Sequence, residues 1–278
     1  MTQTETAGAD EAVSAIVVRR VRFDQPADLD EVFAGDEPDE DRFRVAFSLT
    51  LPHLEPYLIR VYRGVVDHLR DPALIADVQA FIGQEAQHHR NHRRANDAIK
   101  EALGPDAARR LTAVEDELEA DYQRFTSHGS ARSNLVYAEG FEAMTCAWAV
   151  SSFERAAAPG GAPSRFGPWQ QLWAWHAAEE IEHRTVAFRV YEELVGRYPY
   201  RVAGSIWAQT HILRYTNRFE RIISEARGLP APARLRVPQA IAGGPRRWLR
   251  TFRPDYDPAA IDPGPLVDLV LATTPTAG

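Results

Sequence analysis

The chain has 278 residues, 45% of them hydrophobic, and carries a net charge of −7, so it can bury a sizeable core but offers no basic surface to nucleic acid. Its single cysteine, Cys146, excludes an internal disulfide and a thiolate-rich zinc site. Because no run of 18 or more apolar residues is present and the N-terminus lacks the order of a secretory signal, we expect a soluble cytoplasmic protein that does not associate with a membrane.

Three regions follow one another along the chain. Residues 1–42 comprise a disordered leader at 1–12, an alternating β-branched stretch at 15–23 that predicts a short extended segment, and a turn-rich connection. Residues 43–227 show mainly helical periodicity, and turn signals divide them into six helices, at about 53–69, 73–102, 105–127, 133–157, 168–196 and 199–227. Residues 228–278, rich in proline and glycine, are expected to form a mostly irregular arm against the helices. Short polar loops predict an all-α antiparallel bundle.

Four of the six helices carry carboxylates on their apolar stripes, and two of these also carry histidine. The periodic apolar residues define the buried side of each helix. Along these stripes lie Glu55 of the first helix, Glu85, His88 and His92 of the second, Glu139 and Glu142 of the fourth, and His176, Glu180 and His183 of the fifth. Because an unpaired buried carboxylate is strongly unfavourable and the stripes contain no cation of suitable reach, these acids must be neutralised, paired or bound to metal.

Two divalent metal ions would balance four of these carboxylates. The required pattern is one glutamate from each of two helices and a Glu-x-x-His motif from each of two others, and the chain supplies it in alternating order. The i, i+3 spacing of EAQH and EIEH directs a carboxylate and an imidazole to one point. Composition alone would give about 0.7 such pairs, so a hydrogen-bonded polar core and a single-metal site remain alternatives. The predicted ligands are Glu55, Glu85, His88, Glu142, Glu180 and His183.

Several neighbouring residues have more than one interpretation. His92 and His176 lie one helical turn from a Glu-x-x-His pair, and each is a candidate for an extra ligand or for a hydrogen-bonding partner of a ligand. Glu139 competes for the ligand position on the fourth helix. Glu179 flanks the ligand face, where a surface position or a contact with a ligand is expected. His89 is rotated by about 100° from the stripe and is expected to be dispensable.

Three stretches, FIGQEAQHHRNHRRAN, EGFEAMT and WHAAEEIEHRTVAFRVY, resemble signature stretches of a bacterial family of predicted metal-dependent hydrolases, which belongs with the ferritin-like dimetal carboxylate proteins. RRVRF near the start and FRPDYDP near the end extend the resemblance over about residues 15–262. The resemblance implies a ferritin-like bundle with two metal ions in its core.

The chain departs from that family around the first glutamate. Members often have glycine before it, whereas the sequence LPHLEP has Leu54 before Glu55 and Pro56 after it. Because proline is tolerated in the first turn of a helix, Glu55 is expected to lie at a helix start or beside a kink. The family's FHPW-like stretch near the end is replaced here by YDPA, so a histidine at that point is absent.

The predicted donor set limits the metal and the reaction. Oxygen-rich ligation with only two imidazoles suits iron, or manganese, and no cysteine is present to favour zinc. In the ferritin-like setting two iron ions more often reduce O2, so we expect a non-haem di-iron oxygenase or oxidase that acts on a small organic substrate with an external electron donor. The alternatives are a hydrolase that uses a dimetal-activated water and a metal-binding or storage protein. A homodimer is compatible with the sequence.

Overall fold

The structure, a computed structural model, describes residues 14–33, 38–158, 166–232 and 245–274. Within these ranges the chain is mainly helical and forms no β-strand, so the prediction of an all-α bundle is confirmed. The leader at 1–12 and most of the loop at 158–168 lie outside the described residues. The helices are α1 (Leu29–Val32), α2 (Pro38–Ser48), α3 (Leu51–Arg63), α4 (Pro72–Leu103), α5 (Pro105–His128), α6 (Ala131–Ala157), α7 (Pro168–Glu182), α8 (Val186–Leu194), α9 (Tyr198–Arg227), α10 (Pro245–Thr251) and α11 (Pro265–Thr273), with short 3-10 helices at Val66–His68 and Pro258–Ala260.

Capping residues explain why the predicted ends of α4, α5 and α6 are close to those observed. The Asp71 side chain accepts a hydrogen bond from the first turn of α4, and Ser130 does the same for α6. Between α4 and α5, Gly104 adopts a φ of +91°, which favours glycine, and Pro105 follows as the first residue of the next helix.

Three regions differ from the expectation. The turn-rich connection before residue 43 contains α1 and α2, and α1 is capped by the Asp28 side chain. The predicted helix at 168–196 is two helices, because the chain turns at His183 and the amide of Val186 donates to the His183 carbonyl at 2.9 Å. The C-terminal arm is also more regular than predicted, since α10 packs against α6, and α11 packs against α7.

Helix α3 contains a proline beyond its first turn. α3 begins at Leu51, so Pro56 lies inside the helix. Of the two positions expected for Glu55, the helix start is wrong, and a position beside a kink stays a prediction. Pro56 has no amide proton to donate to the carbonyl of Pro52, four residues earlier. Nδ1 of His89, on the neighbouring α4, donates to that carbonyl at 3.1 Å. The half-buried His89 therefore satisfies an acceptor that the proline leaves open.

Packing of the long helices encloses a polar centre. α3 lies along α4, and α6 lies along α7 and α9. Contacts between α3 and α6 and between α4 and α7 join these pairs around the polar centre. The predicted extended segment, at the N-terminus, forms neither helix nor strand and lies on α4, where Asn91 accepts from the Phe23 amide and donates to the Val21 carbonyl. Among the described helices, none has the length and apolar character required to cross a membrane.

Candidate metal centre

All ten candidate residues from the sequence are buried, with at most 5% of each exposed. The assignment of the helix stripes is therefore confirmed, and a surface position for Glu179 is wrong. Seven of the ten meet in the core. They are Glu55 from α3, Glu85 and His88 from α4, Glu142 from α6, and His176, Glu180 and His183 from α7 and its C-terminal end.

The carboxylates and imidazoles form overlapping groups. Glu85 faces both imidazoles, because its Oε1 lies 3.7 Å from Nδ1 of His88 and 3.7 Å from Nε2 of His183. Glu180 also faces both, at 4.0 Å from His88 Nδ1 and 3.8 Å from His183 Nε2. The groups whose ligand atoms lie within 4.8 Å of one another are Glu85–His88–Glu180, Glu85–Glu142–His183 and Glu55–His88–His176.

Each of the six predicted ligands keeps a buried polar atom without a hydrogen-bond partner. These seven atoms are both carboxylate oxygens of Glu55, one oxygen each of Glu85, Glu142 and Glu180, Nδ1 of His88 and Nε2 of His183. Leaving one buried polar atom unsatisfied costs about 1–3 kcal/mol. Seven such atoms in one place indicate a site for a ligand that the side chains themselves do not supply.

Distances across the cluster fit shared metal ions. Two ligand atoms that each lie about 2.1 Å from one ion are separated by about 3.0–4.2 Å, depending on the angle between them. Nε2 of His183 lies 3.4 Å from Glu142, and its distances to Glu85 and Glu180 are 3.7 and 3.8 Å. Four carboxylates and two neutral imidazoles also carry the charge that two divalent cations neutralise. The residues present therefore fit a pair of divalent ions.

Hydrogen bonds from outside the cluster orient both histidines of the Glu-x-x-His motifs. Nε2 of His88 donates to Oε2 of Glu179 at 3.1 Å, and Nδ1 of His183 donates to the amide oxygen of Gln84 at 2.9 Å. Once its second proton is lost, a histidine that donates through one ring nitrogen presents a lone pair on the other. Nδ1 of His88 and Nε2 of His183 therefore face the cluster in the manner of metal ligands.

A separate hydrogen-bonded chain orients His176. The Asn96 amide nitrogen donates to the Ser48 carbonyl at 2.7 Å, so the Asn96 oxygen accepts from the Ser48 hydroxyl at 2.6 Å. Nδ1 of His92 then donates to the Ser48 hydroxyl oxygen at 2.8 Å, and Nδ1 of His176 donates to Nε2 of His92 at 2.8 Å. Burial lowers the pKa of both histidines, which keeps both rings neutral. Nε2 of His176 thus turns a lone pair toward Glu180 at 3.0 Å, a contact that requires a proton or cation between the two acceptors.

Glu139 does not join the cluster. Its carboxylate oxygens lie 3.4 Å from Nη1 of Arg201 and 3.4 Å from the Ser205 hydroxyl, both on α9. Glu142, one helical turn further along α6, lies 3.4 Å from His183 instead. Of the two candidates on α6, the geometry favours Glu142.

Three side chains of the cluster, Glu142, His183 and Glu55, have pKa values raised above their ordinary range. Burial raises the pKa of Glu142 to about 8, and the charge of Glu180 adds to this effect. Burial opposes the imidazolium form of His183, but the carboxylates of Glu142 and Glu180, 3.4 and 3.8 Å from its Nε2, outweigh burial and raise the His183 pKa to about 10. Burial, followed by repulsion from Glu85, raises the pKa of Glu55. Shifts produced jointly by burial and by charged neighbours are typical of functional sites.

Aromatic rings border the imidazoles. Trp175 lies edge-on to His88 with the ring centroids 4.8 Å apart, and Phe81 lies edge-on to His183 at 4.7 Å. Both aromatic rings are fully buried. They separate the two histidines from bulk water, which strengthens electrostatic interactions within the site.

Sequence reasoning missed the residues that hold the histidines in place. Gln84 and Ser48 contact histidines that lie 99 and 44 positions away in the chain, respectively. Asn96 affects His92 indirectly, because its side-chain oxygen accepts a hydrogen bond from the Ser48 hydroxyl. None of these residues forms a motif with its partner, because each pair is brought together only by the packing of different helices. A buried polar residue beside a ligand, as Gln84 is beside Glu85, is the one local signal.

One family of known proteins matches the chain. The family model described as predicted metal-dependent hydrolase matches residues 17–262, which include the four helices of the cluster and the segment that lies on α4. No curated protein and no solved structure matches. The length of the family match shows that the chain belongs to the family of predicted metal-dependent hydrolases.

Proposed function

We propose that the cluster binds two divalent metal ions and that the protein is a metal-dependent hydrolase that acts on a small organic substrate. The observation that carries this proposal is the convergence of seven unpartnered, buried ligand atoms from four helices. The family description supports the reaction class. In this proposal Glu55 and His88 would hold one ion, Glu142 and His183 would hold the other, and Glu85 and Glu180, which each face both histidines, would contribute to both.

His176 is proposed as an additional ligand of the ion beside His88. His176 groups with Glu55 and His88, and the hydrogen bond between its Nδ1 and His92 leaves Nε2 as the nitrogen free to bind metal. His92 itself uses both ring nitrogens in hydrogen bonds and is proposed to position His176 without touching metal. The donor set, rich in oxygen, favours manganese or iron.

The chain's own residues supply orientation and exclusion of water. Two divalent ions held in this cluster would supply Lewis-acid activation of a water molecule and of a carbonyl or phosphoryl oxygen. Glu179 and Gln84 hold the imidazoles in the tautomers that bind metal, and the rings of Trp175 and Phe81 keep bulk solvent from them. Such fixed geometry lowers the reorganisation required during a reaction.

A non-haem di-iron oxygenase or oxidase is the second candidate. Four carboxylates against two or three imidazoles is a donor set that suits iron, and this observation favours oxygen chemistry. That function would require O2 and an external electron donor. The two candidates therefore differ in the metals that support activity and in the consumption of O2.

Activity of metal-loaded protein separates the candidates. We expect Mn²⁺- or Zn²⁺-loaded protein to hydrolyse members of a panel of activated esters, amides and phosphoesters, while anaerobically Fe²⁺-loaded protein consumes no O2 on exposure to air. Rapid O2 consumption with a new near-ultraviolet or visible band, and no hydrolysis with any metal, would replace the hydrolase with the oxygenase. Uptake of many iron ions per chain as a mineral would instead indicate storage.

Two glutamates on α6 provide a matched pair of variants. Glu142→Gln should lose at least one of the two ions and reduce activity by at least ~100-fold, because a carboxylate ligand is removed. Glu139→Gln, one turn away and also buried, should keep both ions because its partner is Arg201. Elemental analysis after gel filtration measures the metal content of the two variants. Loss of metal from Glu139→Gln with retention by Glu142→Gln would reverse the assignment.

A further inference from the structure

We propose that Arg19, in the segment that lies on α4, is a positioning residue that holds both Glu-x-x-His histidines at once. This inference rests on the metal site proposed above. It is carried by two hydrogen-bonded paths that start at one guanidinium group and end on the two histidines.

The first path leads to His88 through one carboxylate. Nη1 of Arg19 donates to Oε1 of Glu179 at 3.1 Å. The other oxygen of Glu179 accepts from Nε2 of His88 at 3.1 Å. Glu179 is completely buried, so its charge depends on these two contacts. Arg19 thus pairs with Glu179 and holds it in the orientation that aims Nδ1 of His88 at the cluster.

The second path leads to His183 through two residues. Arg19 donates to both carboxylate oxygens of Glu182, at 2.8 and 2.9 Å. Oε2 of Glu182 accepts from the amide nitrogen of Gln84 at 2.5 Å, and this contact fixes which end of the Gln84 amide faces the cluster. The Gln84 oxygen is then available to accept from Nδ1 of His183 at 2.9 Å. Nε2 of His183 is left to face the metal site.

Arginine suits this position because its planar fork can bind two carboxylates in fixed directions. The bidentate contact with Glu182 and the single contact with Glu179 use that fork, and only 12% of the Arg19 side chain is exposed. A lysine would supply the charge but not the fork. Arg20, the next residue, is exposed and offers a matched control.

The segment that carries Arg19 is fixed on α4 by further contacts. The Gln84 amide also donates to the carbonyl of Val17 at 2.9 Å, so the segment and the second path share one side chain. Gly83 permits the close approach, because a Cβ there would lie 2.7 Å from a methyl carbon of Val18. The family match begins at residue 17 and therefore includes this segment. The site is thus completed by a part of the chain outside the four ligand helices.

Titration with Co²⁺ tests the inference, because Co²⁺ absorption bands report ligand geometry and chelator competition gives the affinity of each binding step. Arg19→Met should weaken both steps by about 10–100-fold and shift the bands of both ions, as loss of outer hydrogen bonds does at other metal sites. Arg19→Lys should recover part of the affinity, and Arg20→Met should match the wild type. Glu179→Gln and Gln84→Met should each weaken one step only, because each interrupts one path.

The outcomes separate this inference from the proposed function. If the wild type takes up no Co²⁺, the proposed metal site fails. If the wild type binds two ions and Arg19→Met titrates identically, the role of Arg19 is overturned while the metal site stands. Should Arg19→Met fail to fold, the single-path variants decide, since an unchanged titration for both Glu179→Gln and Gln84→Met overturns the inference equally.

Discussion

At the scale of single residues, the buried acids of this core differ in what balances them. Glu139 is paired with Arg201, and Glu179 is paired with Arg19. Glu55 has no such arginine partner among the described residues, and both of its oxygens are buried without a hydrogen bond. Acids that are paired with arginine contribute to the architecture, whereas an unpaired buried acid such as Glu55 requires a ligand from outside the chain.

Metal binding is expected to release protons at pH 7. The pKa of Glu142 is about 8 and that of His183 is about 10, both above their ordinary values, so both groups hold a proton at pH 7 before metal binds. Each must lose that proton to become a ligand. Affinity for Mn²⁺ should therefore fall as the pH is lowered, by about tenfold per pH unit for each proton released.

Calorimetric titration at pH 7 in buffers of different ionisation enthalpy measures this release. We expect at least one proton per ion bound, with weaker binding at pH 6 than at pH 8. Binding that releases no protons and has the same affinity at both pH values would show that the ligands are not the protonated groups described above.

Helical periodicity explains how far single residues could be predicted. Glu85, His88 and His92 lie at offsets of 0, 3 and 7 on an apolar stripe, so their burial follows from local sequence. Gln84 lies one position from Glu85, and its contact with His183 depends on how α4 packs against the end of α7. That arrangement has no signal in the local sequence.

At the scale of elements, α3 shows how one unfavourable residue is accommodated. Pro56 removes an amide donor inside the helix, and His89 of α4 donates to the carbonyl of Pro52 in its place. This hydrogen bond ties α3 to α4 beside Glu55. Helix phase alone did not indicate this contact, from which we expect a contribution of His89 to stability, whereas its dispensability for metal binding stays a prediction.

His89→Ala is expected to lower the free energy of unfolding by about 1 kcal/mol, the net value of a typical hydrogen bond, without removing metal. In the Pro56→Ala background an amide donor is restored to α3, so the same His89→Ala change should then cost less than about 0.5 kcal/mol. Urea denaturation of the four proteins in this double-mutant cycle measures the coupling. An identical cost in both backgrounds would show that His89 does not compensate for the proline.

The break between α7 and α8 shows the limit of prediction for elements. The sequence HRT at 183–185 contains neither proline nor glycine, so periodicity continues through it and predicts one helix. The observed turn places His183 at the end of α7, where it faces Glu142 and Gln84. Contacts between helices, and not local propensity, determine this boundary.

At the scale of the whole molecule, the C-terminal arm is fastened to the bundle by one buried arginine. Arg201 of α9 donates to the carbonyls of Thr251 and Arg253, each at 2.7 Å, and its charge is balanced by Glu139. The arm and α6 line a pocket of about 490 Å³, with Tyr256 in its wall. The same side chain thus joins α6, α9 and the arm.

Arg201→Met should lower the free energy of unfolding by about 3–5 kcal/mol, because it leaves Glu139 buried without its cation. It should also increase the rate of tryptic cleavage in the arm, since two hydrogen bonds to the backbone there are lost. Arg214→Met, at an exposed position of the same helix, should stay within about 0.5 kcal/mol of the wild type. Equal stability and equal cleavage of the two variants would contradict this role.

Anomalous X-ray diffraction from crystals loaded with Mn²⁺ or Fe²⁺ tests the central claim most directly. We expect two anomalous peaks about 3.5–4 Å apart in the core between α3, α4, α6 and α7. One peak should be bound by His88 and Glu55 and the other by His183 and Glu142, with Glu85 and Glu180 in contact with both. A single peak, peaks bound by other residues, or no peak after loading that saturates the protein in solution would contradict the dimetal site.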